Sequence, residues 1–116
     1  MMQKLIAEIV RLALMEDVGS GDITTEAIVS PTSRSKAVIL AKSDGVIAGL
    51  PIAETVFHQV NSKVRFTAKV KDGAFVKKGK VIATLEGPTS AILTGERVAL
   101  NFLQQLSGIA TLTAKF

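Results

Sequence analysis

The segment VKDGAFVKKGKVIATLEGP, residues 70–88, alternates short apolar runs with glycine turns, and its reading decides the fold. Asp72-Gly73 and Lys78-Gly79 are turn signals, because glycine takes a positive φ without steric cost. Between them Phe75-Val76 fits a two-residue strand. Val81 to Glu86 fits a longer one, and Gly87-Pro88 stops it. Just upstream, Val64, Phe66, Ala68 and Val70 alternate with Arg65, Thr67, Lys69 and Lys71, the period-2 pattern of a half-buried strand. Strands this short, joined by tight turns, pair antiparallel.

Outward from this centre the periodicity changes. Pro51 suits the first turn of a helix running to about Val60, with Ile52, Val56 and Val60 as its apolar stripe and His58 off that stripe, at a solvated edge. Ser35 to Lys42 reads as a strand, Asp44-Gly45 as a turn, and Val46 to Ala48 as a short return strand. At the N-terminus, Leu5, Ile9, Leu12 and Ala13 recur at helical spacing opposite Lys4, Glu8 and Arg11, so residues 3–17 form an amphipathic helix ended by Gly19 and Gly21. Glu16 and Asp17 close that helix. Asp22 to Glu26 offers caps for a short helical turn before Pro31.

The last quarter, TGERVALNFLQQLSGIATLTAKF (94–116), puts Arg97 near the start of a helix that begins between Thr89 and Thr94 and ends near Leu106. Gly108 is expected to break it and 109–116 to open another. No charged residue occurs from Val98 to Ala114, and a helix without a charged face is normally buried. The fold class is therefore α+β: one small, mostly antiparallel sheet with flanking helices.

Composition narrows the chemistry. Cysteine is absent and His58 is the only histidine in 116 residues. Disulfide frameworks, thiol nucleophiles and histidine-cluster metal sites are excluded. Glu8 and Arg11 interrupt the apolar N-terminus, so it is not a signal peptide, and the pattern predicts no membrane span. The formal charge is +4, and the basic residues crowd between Arg34 and Lys80 with few aromatics among them. That favours solvated strand faces over a nucleic-acid platform. Gly19-Ser20-Gly21 lacks the strand and long helix of a phosphate cradle. Glu16, Asp17 and Asp22 read as solvent-facing caps and no metal site is expected.

Arg97 is the candidate binding residue. Asn101 and Gln104 follow it at four and seven residues, on one helical face. A planar guanidinium beside amides suits a carboxylate or phosphate, since its fork donates to two oxygens in parallel. An intrahelical or core-edge ion pair is the alternative role.

The turn pattern of 70–82 resembles biotinyl/lipoyl carrier domains, but the carrier's lysine triplet at a hairpin tip is missing. The stretches EDVGSGDITTEAI (16–28), AKSDGVIAGLP (41–51), VKDGAFVKKGKVIATLEGP (70–88) and LTGERVALNFLQQLSGIATLT (93–113) together resemble the N-terminal region of quinolinate phosphoribosyltransferase, also called nicotinate-nucleotide pyrophosphorylase (carboxylating). The resemblance implies that residues 1–116 are an α/β-hammerhead domain of a two-domain enzyme, with 107–116 starting the connection to an α/β barrel. It further implies conversion of quinolinate and phosphoribosyl pyrophosphate to nicotinate mononucleotide, pyrophosphate and CO₂, in de novo NAD biosynthesis. Mg²⁺ would be bound by the barrel, and no catalytic or metal residue is expected here. Arg97 matches the arginine that grips a quinolinate carboxylate in the partner subunit's barrel, so a cytoplasmic homodimer or higher even oligomer is expected, with neither nucleic acid nor membrane as partner. A molybdenum-transport-associated relative and a non-catalytic hammerhead module are the competing assignments.

Overall fold

The computed structural model describes residues 2–28 and 33–114, with side chains described for 2–16 and 33–114. In chain order it comprises α1 (Met2–Ile28), β1 (Arg34–Leu40), β2 (Gly45–Val46), α2 (Leu50–Val60), β3 (Arg65–Ala68), β4 (Phe75–Val76), β5 (Val81–Pro88) and α3 (Thr89–Ala114). The strands stand close to where the sequence places them and helices flank them, so the α+β class holds. The expected single sheet is instead two. A three-stranded sheet has the order β1-β5-β3, and β2 and β4 form a separate pair. Every pairing is antiparallel. The register of β1 on β5 slips between Ile39 and Leu40, and this irregularity turns the chain out of the larger sheet toward β2.

Two helices run longer than expected. α1 continues through Gly19 and Gly21 to Ile28, and α3 continues through Gly95 and Gly108 to Ala114. A glycine inside a helix costs about 1 kcal/mol against alanine but keeps its backbone hydrogen bonds, so neighbouring turns carry it. The readings of Asp17 as an end-of-helix acid, of Asp22 to Glu26 as caps, and of Glu16, Asp17 and Asp22 as an acidic group involve side chains outside the described ones, Glu16 excepted. Glu16 itself is exposed.

The buried faces are rotated from the expected stripes. In α1, Val10 and Leu14 are buried and Ile6 and Ala13 pack beside them, whereas Leu5, Ile9 and Leu12 are 56%, 45% and 52% exposed. This helix is apolar over a wide arc, so two stripes overlap and the neighbours choose between them. Gln59 fixes the choice by donating from Nε2 to the Ala7 carbonyl at 2.7 Å. In α2, Ala53, Val56 and Phe57 are buried, while Ile52 and Val60 are half-buried.

The reason lies in α3. A Cβ on Gly95 would stand 3.0 and 3.1 Å from carbons of the Phe57 ring, so a bare backbone at 95 lets α2 seat its aromatic ring directly on α3. Phe57 also stacks on Phe66 of β3, with centroids 6.2 Å apart. Fully burying one such ring contributes about 3 kcal/mol. Helix α3 thereby forms the floor on which α1, α2 and the sheet assemble.

Helix α2 is capped from outside. Its N-cap, Gly49, has φ 100° and no side chain to cap with. Asp72 accepts the Gly49 and Leu50 N–H groups on its two carboxylate oxygens, each at 3.0 Å. The Asp72-Gly73 turn thus supplies the anion that a helix N-terminus favours.

Gly95→Val is expected to lower unfolding free energy by about 2 kcal/mol, because a branched side chain there cannot coexist with the Phe57 ring. Chemical denaturation of the variant checks this, and an unchanged midpoint would refute the close approach.

Candidate functional site

The site is built on α3, and its placement begins at the end of β5. Strand β5 passes into α3 without a loop, from Pro88 to Thr89. The junction is tied to the start of β1: the Thr89 N–H donates to the Ser33 carbonyl at 2.9 Å, and the Ser35 and Thr89 hydroxyls lie 2.6 Å apart. From there Ala91, Ile92, Gly95, Val98, Ala99 and Leu103 face the core. The opposite side carries Leu93, Arg97, Asn101 and Gln104, all exposed. The sequence expectation that these three polar residues share one face is met. The expectation that the uncharged stretch after Arg97 is buried is only half met, since Ile109 and Leu112 are 63% and 59% exposed. The 3.6-residue period takes half of any such helix away from a single sheet.

Arg97 has an interaction within the chain, and its position keeps it on the surface. Its near surroundings on α3 are one leucine, amides and the acid Glu96. A guanidinium on such a low-charge strip is suited to binding an anion: when water is excluded, its two parallel N–H groups meet two carboxylate oxygens in a strong, geometrically specific pair. His58 is exposed on α2, as expected of an edge histidine.

The C-terminal half of α3 has a second role that sequence patterns did not show. The Thr111 hydroxyl accepts the Val46 N–H at 2.9 Å, and the Ser107 hydroxyl accepts the Ala48 N–H at 3.0 Å. Each also stands near the carbonyl of the same residue, at 3.4 and 3.1 Å. On the other side, the Ile47 N–H and carbonyl bond Ala74 and Gly73. Residues four apart on a helix are separated by about 6 Å, and residues two apart on a strand by nearly 7 Å. Two hydroxyls on successive turns therefore stand in for a β-strand along the free edge at Val46 and Ala48. The available signal was a pair of hydroxyls four residues apart in an otherwise apolar run.

Between this clasp and β1 lies a cavity of about 610 Å³, walled by Ile39, Leu40, Ile82, Leu100 and Leu103, with Gln104 on its edge. Arg97 does not line it. Lys42, Ser43 and Asp44 form its rim. Asp44 accepts the Lys78 N–H at 2.8 Å and faces the Lys77 ammonium at 3.5 Å. The backbone hydrogen bond, then the lysine charge, hold its carboxyl below the usual carboxylate range. Among the described residues no group of three or more Asp, Glu or His stands where it could hold a metal. No helix in the described residues is long and apolar enough to cross a membrane.

A lowered pKa stabilises the folded turn only while Asp44 is ionised. That stabilisation is expected in full at neutral pH and is lost as pH falls through the lowered value. The Lys78 amide resonance should titrate with Asp44 and should stop doing so in Asp44→Asn. A Lys78 amide that ignores acidification in the unmodified chain would contradict the bond.

Comparison with known proteins matches this architecture. The family model described as "Quinolinate phosphoribosyl transferase, N-terminal domain" matches residues 22–107. The chain is 46% identical over 99 residues to the probable nicotinate-nucleotide pyrophosphorylase (carboxylating) of Bacillus subtilis (strain 168), covering 85% of this chain and 34% of that one. It is 42% identical to the quinolinate phosphoribosyltransferase (decarboxylating) 1 of Nicotiana glauca, over 90% of this chain and 30% of that one. Among solved structures, NadC from Streptococcus pyogenes superposes with TM-score 0.90 at 41% identity, covering 95% of this chain and 39% of that one. The nicotinate-nucleotide pyrophosphorylase from Francisella tularensis gives 0.89 at 32% identity, covering 97% of this chain and 40% of that one. The chain spans about a third of the length of the curated relatives it matches.

Proposed function

Because the chain belongs to the quinolinate phosphoribosyltransferase family, at its N-terminal domain, we propose that it is the substrate-gripping domain of an enzyme of de novo NAD biosynthesis. The reaction joins quinolinate to the phosphoribosyl group of phosphoribosyl pyrophosphate, releasing pyrophosphate and CO₂ to leave nicotinate mononucleotide. We assign the chemistry itself to a second domain, an α/β barrel.

The observation that carries this reading is Arg97, the sole basic residue among the described residues of α3, standing on a face that no other described element buries. Its role is to donate two N–H groups to one carboxylate of the pyridine dicarboxylate. The planar fork of a guanidinium matches the two oxygens of one carboxylate, which fixes the orientation of the ring that carries it. The long helix, anchored at Thr89 and clasped at Ser107 and Thr111, holds this group in a fixed place. Mg²⁺, which the family's chemistry uses with the phosphoribosyl donor, finds no fitting group among the described residues. We assign it to the barrel and route no step through it here. We assign the pocket that Arg97 completes to a partner subunit, in a homodimer or a higher even oligomer, a reading supported by the exposure of Arg97 on the side of α3 opposite its buried residues.

In the whole enzyme, Arg97→Ala is expected to weaken quinolinate binding by about tenfold to a hundredfold, the worth of a charge-assisted hydrogen bond. Arg97→Lys should restore only part of it, because an ammonium lacks the fork. Steady-state kinetics with quinolinate varied checks both, and an unchanged KM for Arg97→Ala would remove Arg97 from the site.

A mixing experiment tests the partner arrangement. Arg97→Ala subunits combined with subunits inactivated in the barrel should regain activity, since each hybrid dimer then pairs one intact barrel with one intact Arg97. Verified hybrids with no recovered activity would place Arg97 in the site of its own subunit.

A further inference from the structure

Asn101 breaks a local rule without any return to the fold. Asparagine is a poor residue for a helix interior, because its short amide competes for backbone hydrogen bonds. Such residues normally sit at caps or turns. Asn101 lies near the middle of α3 (Thr89–Ala114) and is exposed. Its side chain makes no hydrogen bond or ion pair among the described residues. It therefore contributes neither a cap, nor core volume, nor a surface bridge. Residues that are locally unfavourable without structural compensation concentrate at functional sites.

Its neighbourhood says which site. Asn101 is one turn beyond Arg97 on the same exposed face, and residues four apart on a helix bring their Cβ atoms to about 6 Å. Helical side chains lean toward the N-terminus, so the Asn101 amide is carried toward the turn that bears Arg97. Gln104 is a further turn away and sits on the edge of the apolar cavity. A dicarboxylate with neighbouring carboxyl groups presents four oxygens, of which one guanidinium fork engages two. A neutral amide can donate to a third without adding charge.

We propose that Asn101 is a specificity-determining residue of the Arg97 site. Its Nδ2 donates to the second carboxylate of the pyridine dicarboxylate while Arg97 holds the first. The pair reads two adjacent carboxylates, where Arg97 alone would accept any single one. This inference rests on the assignment of Arg97 to the substrate.

The test is steady-state kinetics on the whole enzyme with Asn101→Ala, Asn101→Asp and Arg97→Ala compared side by side. Asn101→Ala should raise the KM for quinolinate about tenfold, leave kcat within about twofold, and leave the KM for phosphoribosyl pyrophosphate unchanged. Asn101→Asp should raise the quinolinate KM further, because a carboxylate replaces the donor and repels the substrate. The melting temperature of Asn101→Ala should hold or rise, alanine being the better helix former. A quinolinate KM that stays within about twofold of the unmodified enzyme in Asn101→Ala, while Arg97→Ala raises it, overturns this proposal alone. A KM that moves in neither variant overturns the assignment of Arg97 as well.

Discussion

The seat of Phe57 on the bare backbone at Gly95 is the contact on which the rest of this domain depends. It sets the separation of α2 and α3, and everything else is built on that pair. With Phe57 against α3, its other side is free to stack on Phe66, which brings β3 and the whole three-stranded sheet over the helices. The wrong residue at position 95 would hold the helices apart and leave the aromatic pair with no common floor. A helix propensity cost of about 1 kcal/mol for an interior glycine is small beside the aromatic burial it permits.

The small sheet is held by different means. β2 and β4 are two residues each, too short to hold themselves together. Their stability comes from polar groups on other elements. Asp72 caps α2 from the turn before β4, and Ser107 and Thr111 satisfy the open edge at Val46 and Ala48. Asp44 ties the β1–β2 turn to the Lys78 turn. Each bond joins segments far apart in sequence, so the hairpins and the helices order one another. The consequence for function is rigidity in α3. This helix of 26 residues, about 39 Å long, is held at its first residue and again near its last turn, and Arg97 and Asn101 lie between those anchors.

Much of the fold was legible in local sequence patterns. Glycine turns at 73 and 79, the alternation from Val64, and the helical spacing near both ends placed the strands and helices in their order, because these signals act over a few residues. The GERVALN run singled out Arg97, since one cation heading a long uncharged stretch is visible to inspection. What escaped were choices among equals. α1 offers two overlapping apolar stripes, and only contact with Gln59 and the core decided that Val10 and Leu14 go inside. Gly19, Gly21 and Gly108 read as stops, yet the helices pass through them.

The sequence by itself therefore determined the α+β class, the order of the elements, the exclusion of cysteine and histidine-cluster chemistry, and the identity of the one arginine on α3. Periods of 2 and 3.6 and the conformational preferences of glycine and proline act over a few residues, and a few residues are enough to read them. The tertiary structure alone decided that the strands form two sheets, which helical faces are buried, that Asp72 is a cap, and that Ser107 and Thr111 act as a substitute strand. Those outcomes depend on pairs up to 65 residues apart. Their partners are brought together by burial of apolar surface, which has no direction or register of its own, so a local pattern marks a face for burial without saying what it meets.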